Sequence, residues 1–193
     1  MSSKSRHYSS PPKNAQEAEN SKHQGNLLFQ KQKYAAACEL YTEAILQSEQ
    51  KWHVPYLNRA MANEKRLRWK EAKEDLEKCL KLDHDNVKAT YHLGVCVCML
   101  PEEIEDNYKK GAEILEKSLF LAREYDESQV DLIWRSLAKS KYMEHCEKAK
   151  ERRKVYESLE AKLSHPGFVP LTEDDARVLR ERVNAAKEKD ERK

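Results

Sequence analysis

The chain has 193 residues, 39% of them apolar and 36% charged, and its 36 basic and 34 acidic side chains leave a net charge of +2. So close a balance argues against a protein built to coat nucleic acid, which would carry a one-signed basic face. Four glycines and six prolines, set among abundant Ala, Leu, Glu and Lys, argue against a turn-rich sheet and favour long helices. No segment approaches the roughly 18 consecutive apolar residues of a membrane span. Met1 to Lys13 is rich in Ser, Pro and basic residues and lacks the apolar centre of a signal segment. The expectation is a cytoplasmic protein that contacts no membrane. The five cysteines, 38, 79, 96, 98 and 146, are odd in number and lack C-x-x-C spacing, which fits reduced thiols better than disulfides or a metal site.

Taken in chain order, residues 1–14 form a polar tail, predicted to be disordered because nothing in it buries enough apolar area to offset the entropy of ordering. Helices are then predicted in pairs, over 15–30 and 34–48, 53–66 and 69–82, and 86–100 and 107–122. Small residues recur in the first helix of each pair, at Gly25, Ala60 and Gly94. The second helices repeat Tyr34/Ala37/Tyr41/Ala44, Trp69/Ala72/Leu76/Cys79 and Tyr108/Gly111/Leu115/Ser118. This spacing of about 34 residues resembles the tetratricopeptide (TPR) helix-turn-helix repeat, in which closely crossing helices need small residues and aromatic or Leu side chains fill the gaps. Asp83 to Asn86 supplies turn chemistry and a helix start between the second and third pairs. Leu100 to Asn107 lengthens the turn inside the third pair by about five residues, an insertion expected on the rim of the array.

Beyond the repeats, residues 128 to about 163 read as one long helix, with Val130, Ile133, Trp134 and Leu137 expected to cover the last repeat, since such arrays need an end cap. Ser164 to Pro170 breaks that helix. Thr172 to Asp175 then supplies an N-cap with acids at the positive helix end. Ala176, Leu179, Val183 and Ala186 continue as an apolar seam, which together with Tyr156, Leu159 and Leu163 fits either a helical hairpin or a homodimer coiled coil. The predicted fold is therefore all-α: three tetratricopeptide helix pairs in a right-handed solenoid over 15–127, then a long capping helix and a charged C-terminal helical hairpin over 128–193.

The candidate binding residues lie on the first helices, which line the concave groove of such an array. Lys22 and Asn26 are one turn apart in the first repeat, Asn58 lies in the second and Lys88 opens the third. Two ammonium groups and two carboxamides on one groove can neutralise and hydrogen-bond a terminal carboxylate and a neighbouring Asp side chain. This set resembles the dicarboxylate clamp of chaperone-binding TPR domains. That resemblance implies a co-chaperone adaptor holding the Glu-Glu-Val-Asp tails of the seventy- and ninety-kilodalton cytosolic heat-shock chaperones. His92 stands where many clamp domains carry Arg.

Lys33 to Tyr41, Lys88 to Gly94 and Leu137 to Lys141 are further similar to the CHIP-like family of TPR and U-box ubiquitin ligases, which act in protein quality control. The resemblance implies peptide contacts from Asp131 and apolar pockets lined by Phe29, Tyr41 and Tyr91, Tyr41 being equally a repeat-packing position. The sequence carries no U-box motif before Lys193, so a fragment of a ligase, or a relative without that domain, is expected.

Other readings have less behind them. There is no Gly-rich phosphate loop, no Gly-x-Ser-x-Gly turn and no His-Glu-x-x-His helix, hence no catalytic residue and no cofactor to assign. His92 and Cys96 are one turn apart, yet a groove histidine and a packed thiol are better accounts than a metal site. Arg152, Arg153 and Lys154 form a basic run interrupted by Glu147, Glu151 and Glu157, which is poor support for nucleic-acid binding. The alternative to a chaperone clamp is a TPR scaffold for some other peptide, with Asn26 and Asn58 gripping backbone amides.

Overall fold

The computed structural model describes residues 14–100, 106–164 and 173–191, which form eight α-helices and one 3-10 turn. They are α1 (Ala15–Gln30), α2 (Tyr34–Gln47), α3 (His53–Lys65), α4 (Trp69–Leu82), α5 (Val87–Cys98), α6 (Asn107–Tyr125), α7 (Val130–Ser164) and α8 (Glu173–Glu191), with the 3-10 turn at Glu127–Gln129. The expected tail, the body of the third-repeat insertion and the break after Ser164 lie outside the described residues. Two units divide the chain, one ending at Lys141 and one beginning at Tyr142.

In the first unit each helix packs on the next from α1 to α6, and α3 also touches both α1 and α5. The buried apolar residues fall into three clusters, two of them made by more than one helix pair and the third by the last pair with α7. Ala37, Cys38 and Tyr41 meet Ala62 of the second pair. Ile45 of the first pair joins Tyr56, Leu57, Ala60, Ala72, Leu76 and Cys79 of the second and Ala89 and Cys96 of the third. No pair can bury its apolar face alone, which is why the pairs stack. Burial pushes the Cys79 thiol up to about 12, and Cys38, Cys96 and Cys98 are raised as well, so these thiols stay protonated and inert.

The third cluster shows how the array ends. Val87, Leu115, Leu119 and Ala122 pack with Ile133, fully buried, and Leu137 of α7, and Val130 lies against them. The cap is thus present, but Trp134 is not part of it: its side chain is 56% exposed. One residue advances a helix by about 100°, so the turn that seats Ile133 and Leu137 carries Trp134 off the contact face.

The connectors inside the first two pairs, 31–33 and 66–68, share one geometry. The Lys33 amide donates to the Leu28 carbonyl and Gln32 to Phe29, while Arg68 donates to Asn63 and Leu67 to Glu64. This doubly bonded helix end places its next residue in the left-handed region, a role usually filled by Gly. Here the residues are Gln32 at φ 59° and Leu67 at φ 59°. Leu67 is also 72% exposed and so has little packing to lose. Leu67→Gly is expected to stabilise the fold by about 0.5–1 kcal/mol, the relief of left-handed strain exceeding the added chain entropy. Urea unfolding of both proteins checks this. The connector of the third pair, 99–106, is five residues longer than these, as expected from the sequence.

Helix α5 is fixed at its N-terminus and again where it crosses α6. Asn86 caps it, its side chain accepting from the Ala89 amide at 2.9 Å. Near the middle it crosses α6 almost backbone to backbone. A β-carbon on Gly94 would lie 2.8 Å from Leu115 Cγ, and one on Gly111 would lie 2.2 Å from Cys98 Sγ, so only glycine allows this approach.

In the second unit, Lys187 of α8 donates to Glu160 of α7 at 3.1 Å. Tyr156, Val183 and Ala186 are half-buried, whereas Leu159 is 39% exposed. The side chains of Leu163, Ala176 and Leu179 lie outside the described residues. Among the described residues no helix is long and apolar enough to cross a membrane.

Candidate peptide-binding groove

Helices α1, α3 and α5 succeed one another along one side of the first unit, α3 touching both of the others. The centre of the candidate site is Asn26 on α1. Its Oδ1 accepts one hydrogen bond from Asn58 Nδ2 of α3 at 3.0 Å and a second from the Tyr41 hydroxyl of α2 at 2.9 Å. A carboxamide oxygen has two lone pairs, and both are now used, so the orientation is fixed and the Nδ2 donors point the other way. Tyr41 is 1% exposed, and burial pushes its phenol up to about 12, which keeps it a neutral donor. Tyr41 therefore orients Asn26 from behind and is not an accessible pocket wall.

Lys22 lies one turn before Asn26. Its ammonium sits 5.2 Å from the centre of the Trp52 ring, just ahead of α3, and also pairs with Glu19. Lys88 stands in the first turn of α5, exposed, with no ion pair among the described residues. One turn further on, His92 Nδ1 donates to the Glu64 carboxylate of α3 at 2.9 Å, and the two side chains are only 18% and 13% exposed. The Cys96 thiol donates to the same carboxylate at 3.4 Å. His92 and Cys96 thus turn toward Glu64. Among the described residues no group of three His, Cys, Asp or Glu side chains is arranged to hold a metal ion.

The expected pocket residues are half-buried at the edges of the helix clusters. Phe29 meets Tyr34 edge-on, with ring centres 5.2 Å apart. Tyr91 meets His92 at 5.0 Å, and its hydroxyl lies 3.3 Å from Ser136 Oγ, which ties α5 to α7. Asp131 is exposed in the first turn of α7 and bonds to none of the other candidates.

Three participants escape the sequence reading. Trp52 and Glu64 are defined by contacts across helices, Glu64 lying 28 positions from His92. The third is Arg59, the neighbour of Asn58. It points away from the groove, making two bonds to Asp75 at 2.8 and 2.6 Å and one to Thr42 at 2.8 Å. The offset Asp-to-Arg of 16 residues gives no local signal.

No family model matches the chain. The E3 ubiquitin-protein ligase CHIP of Arabidopsis thaliana is 37% identical over 131 residues, covering 66% of this chain and 44% of the ligase. The TPR2B domain of yeast Sti1, solved as a complex with an Hsp70 peptide, superposes with a TM-score of 0.61 at 23% identity, over 66% of this chain and 98% of that one. The chain is a TPR protein homologous to the TPR region of CHIP. A second solved relative is the second TPR domain of human RPAP3 in complex with the HSP70 peptide SGPTIEEVD, 26% identical with a TM-score of 0.57, over 66% of this chain and 98% of that one. The TPR chain spans less than half the length of the CHIP ligase it matches. Its three helix pairs and the Ile133/Leu137 cap make up the TPR array.

Proposed function

We propose that this TPR domain, over 15–127 with its cap and hairpin over 128–193, is a cytoplasmic co-chaperone adaptor. It binds the Glu-Glu-Val-Asp tails of seventy- and ninety-kilodalton heat-shock chaperones through a dicarboxylate clamp of Lys22, Asn26, Asn58 and Lys88. The observation that carries this reading is the double acceptance at Asn26 Oδ1, which leaves its Nδ2 group as a prearranged donor one turn from Lys22. The RPAP3 domain supports it, since its peptide ends in the same four residues. In this reading His92, Phe29, Tyr91 and Asp131 would meet the peptide upstream of its end.

By homology to CHIP, the adaptor serves as the chaperone-binding part of a ubiquitin ligase in quality control. Val155, Leu159 and Val178 leave apolar surface on the second unit, to which we assign self-association.

Calorimetric titration with a free-acid peptide ending in Glu-Glu-Val-Asp, beside its carboxyl-amidated twin, tests the clamp. Micromolar binding of the acid and at least about tenfold weaker binding of the amide are expected. Equal binding of the two would mean that the carboxamides hold backbone amides and that no carboxylate clamp operates.

A further inference from the structure

The clamp reading assigns the groove its cations but leaves the His92–Glu64 pair unexplained. On α5, His92 follows Lys88 by one turn and so shares its face. There the carboxylate of Glu64, reaching over from α3, accepts from His92 Nδ1 at 2.9–3.0 Å. A carboxylate only accepts, so the proton lies on Nδ1, and two charge states follow. With a neutral ring the pair carries one negative charge, and Nε2 is a lone-pair acceptor. With a protonated ring the pair is neutral. In neither state does it hold net positive charge, although the position lies next to a lysine in the groove.

Resting on the clamp reading above, we infer that His92 and Glu64 form a specificity subsite that accepts a basic or neutral side chain upstream of the clamped acidic end and rejects an acidic one. The groove is then polarised along its length. Lys22 and Lys88 take the two carboxylates of the peptide end, and one turn from Lys88 the sign reverses. A guanidinium or ammonium group arriving there meets the outer face of the Glu64 carboxylate or an imidazole acceptor, whereas a carboxylate meets repulsion.

The test is a set of nine-residue peptides ending in Glu-Glu-Val-Asp, with Arg, Ala or Asp placed in turn at each of the three positions before that end. Each is titrated into the wild type and into Glu64→Gln, which keeps the side-chain shape and removes the charge. At one of the three positions the wild type should bind the Arg peptide about tenfold more tightly than the Asp peptide, and the ratio should fall to about twofold or less in Glu64→Gln. Raising the salt concentration should narrow the wild-type ratio in the same direction, which tests the inference even where Glu64→Gln folds poorly. Amidation-sensitive binding with no preference between Arg and Asp at any position would overturn this inference alone. So would a preference that neither Glu64→Gln nor salt changes. Absence of binding by every peptide would overturn the clamp and this subsite together.

Discussion

Lys88→Ala is expected to weaken binding of a peptide ending in Glu-Glu-Val-Asp by at least about tenfold, the loss of one charge-assisted hydrogen bond being worth about 1.5–3 kcal/mol. The melting temperature should stay where it is, because Lys88 is exposed and pairs with no other described side chain. Lys22→Ala should cost affinity too, with a different accompaniment. Its ammonium already lies over Trp52 and beside Glu19, so part of its charge is engaged before a peptide arrives, and its removal also strips a cover from the indole. The larger binding loss is therefore expected at Lys88. Titration calorimetry with thermal melts of the same samples separates the two effects, and wild-type affinity in both variants would sink the clamp.

Arg59→Ala is expected to destabilise the fold by about 3–5 kcal/mol, a large share of the roughly 5–15 kcal/mol that holds a domain together. Arg59 is 19% exposed and its partner Asp75 only 5%. Truncating the arginine leaves that carboxylate buried with its two donors gone, and takes a third bond from Thr42. The charge on Asp75 is the main cost, so adding Asp75→Ala should recover part of the loss. Arg59→Lys should recover little, because an ammonium cannot make the paired, planar contact. Guanidinium unfolding of the singles and the double gives the coupling directly. A loss below about 1 kcal/mol in Arg59→Ala would mean that the pair behaves like an exposed ion pair.

The two predictions concern residues on different helices, Lys88 on α5 and Arg59 on α3, and differ in how far they could be read from sequence. The order of the helices follows from the repeat, and the observed ends agree with it to within a few residues, because a close helix crossing demands small residues at fixed intervals. That Asn26 and Asn58 come together across α1 and α3 follows for the same reason, since position in the repeat fixes which way a residue faces. What the repeat does not carry is the choice of partner. Asn58 and Arg59 are neighbours, yet one reaches α1 and the other α4. The acceptor for His92 lies on another helix, where the repeat specifies no acid. Trp134 shows the converse limit. Apolar character put it on the capping face with Ile133 and Leu137, but a helix face is narrow and only the latter two fit.

The near contact of α5 and α6 at Gly94 and Gly111 bears on more than packing. Lys88 and His92 ride on α5, so the depth at which that helix sits decides how far their side chains stand from Asn26 and Asn58 across the way. That depth is set where α5 meets α6, by the absence of two β-carbons. The spacing across the candidate groove is thus gauged by Gly94 and Gly111, neither of them a candidate binding residue. A single methyl group added there would retune that spacing while leaving every candidate binding residue unaltered.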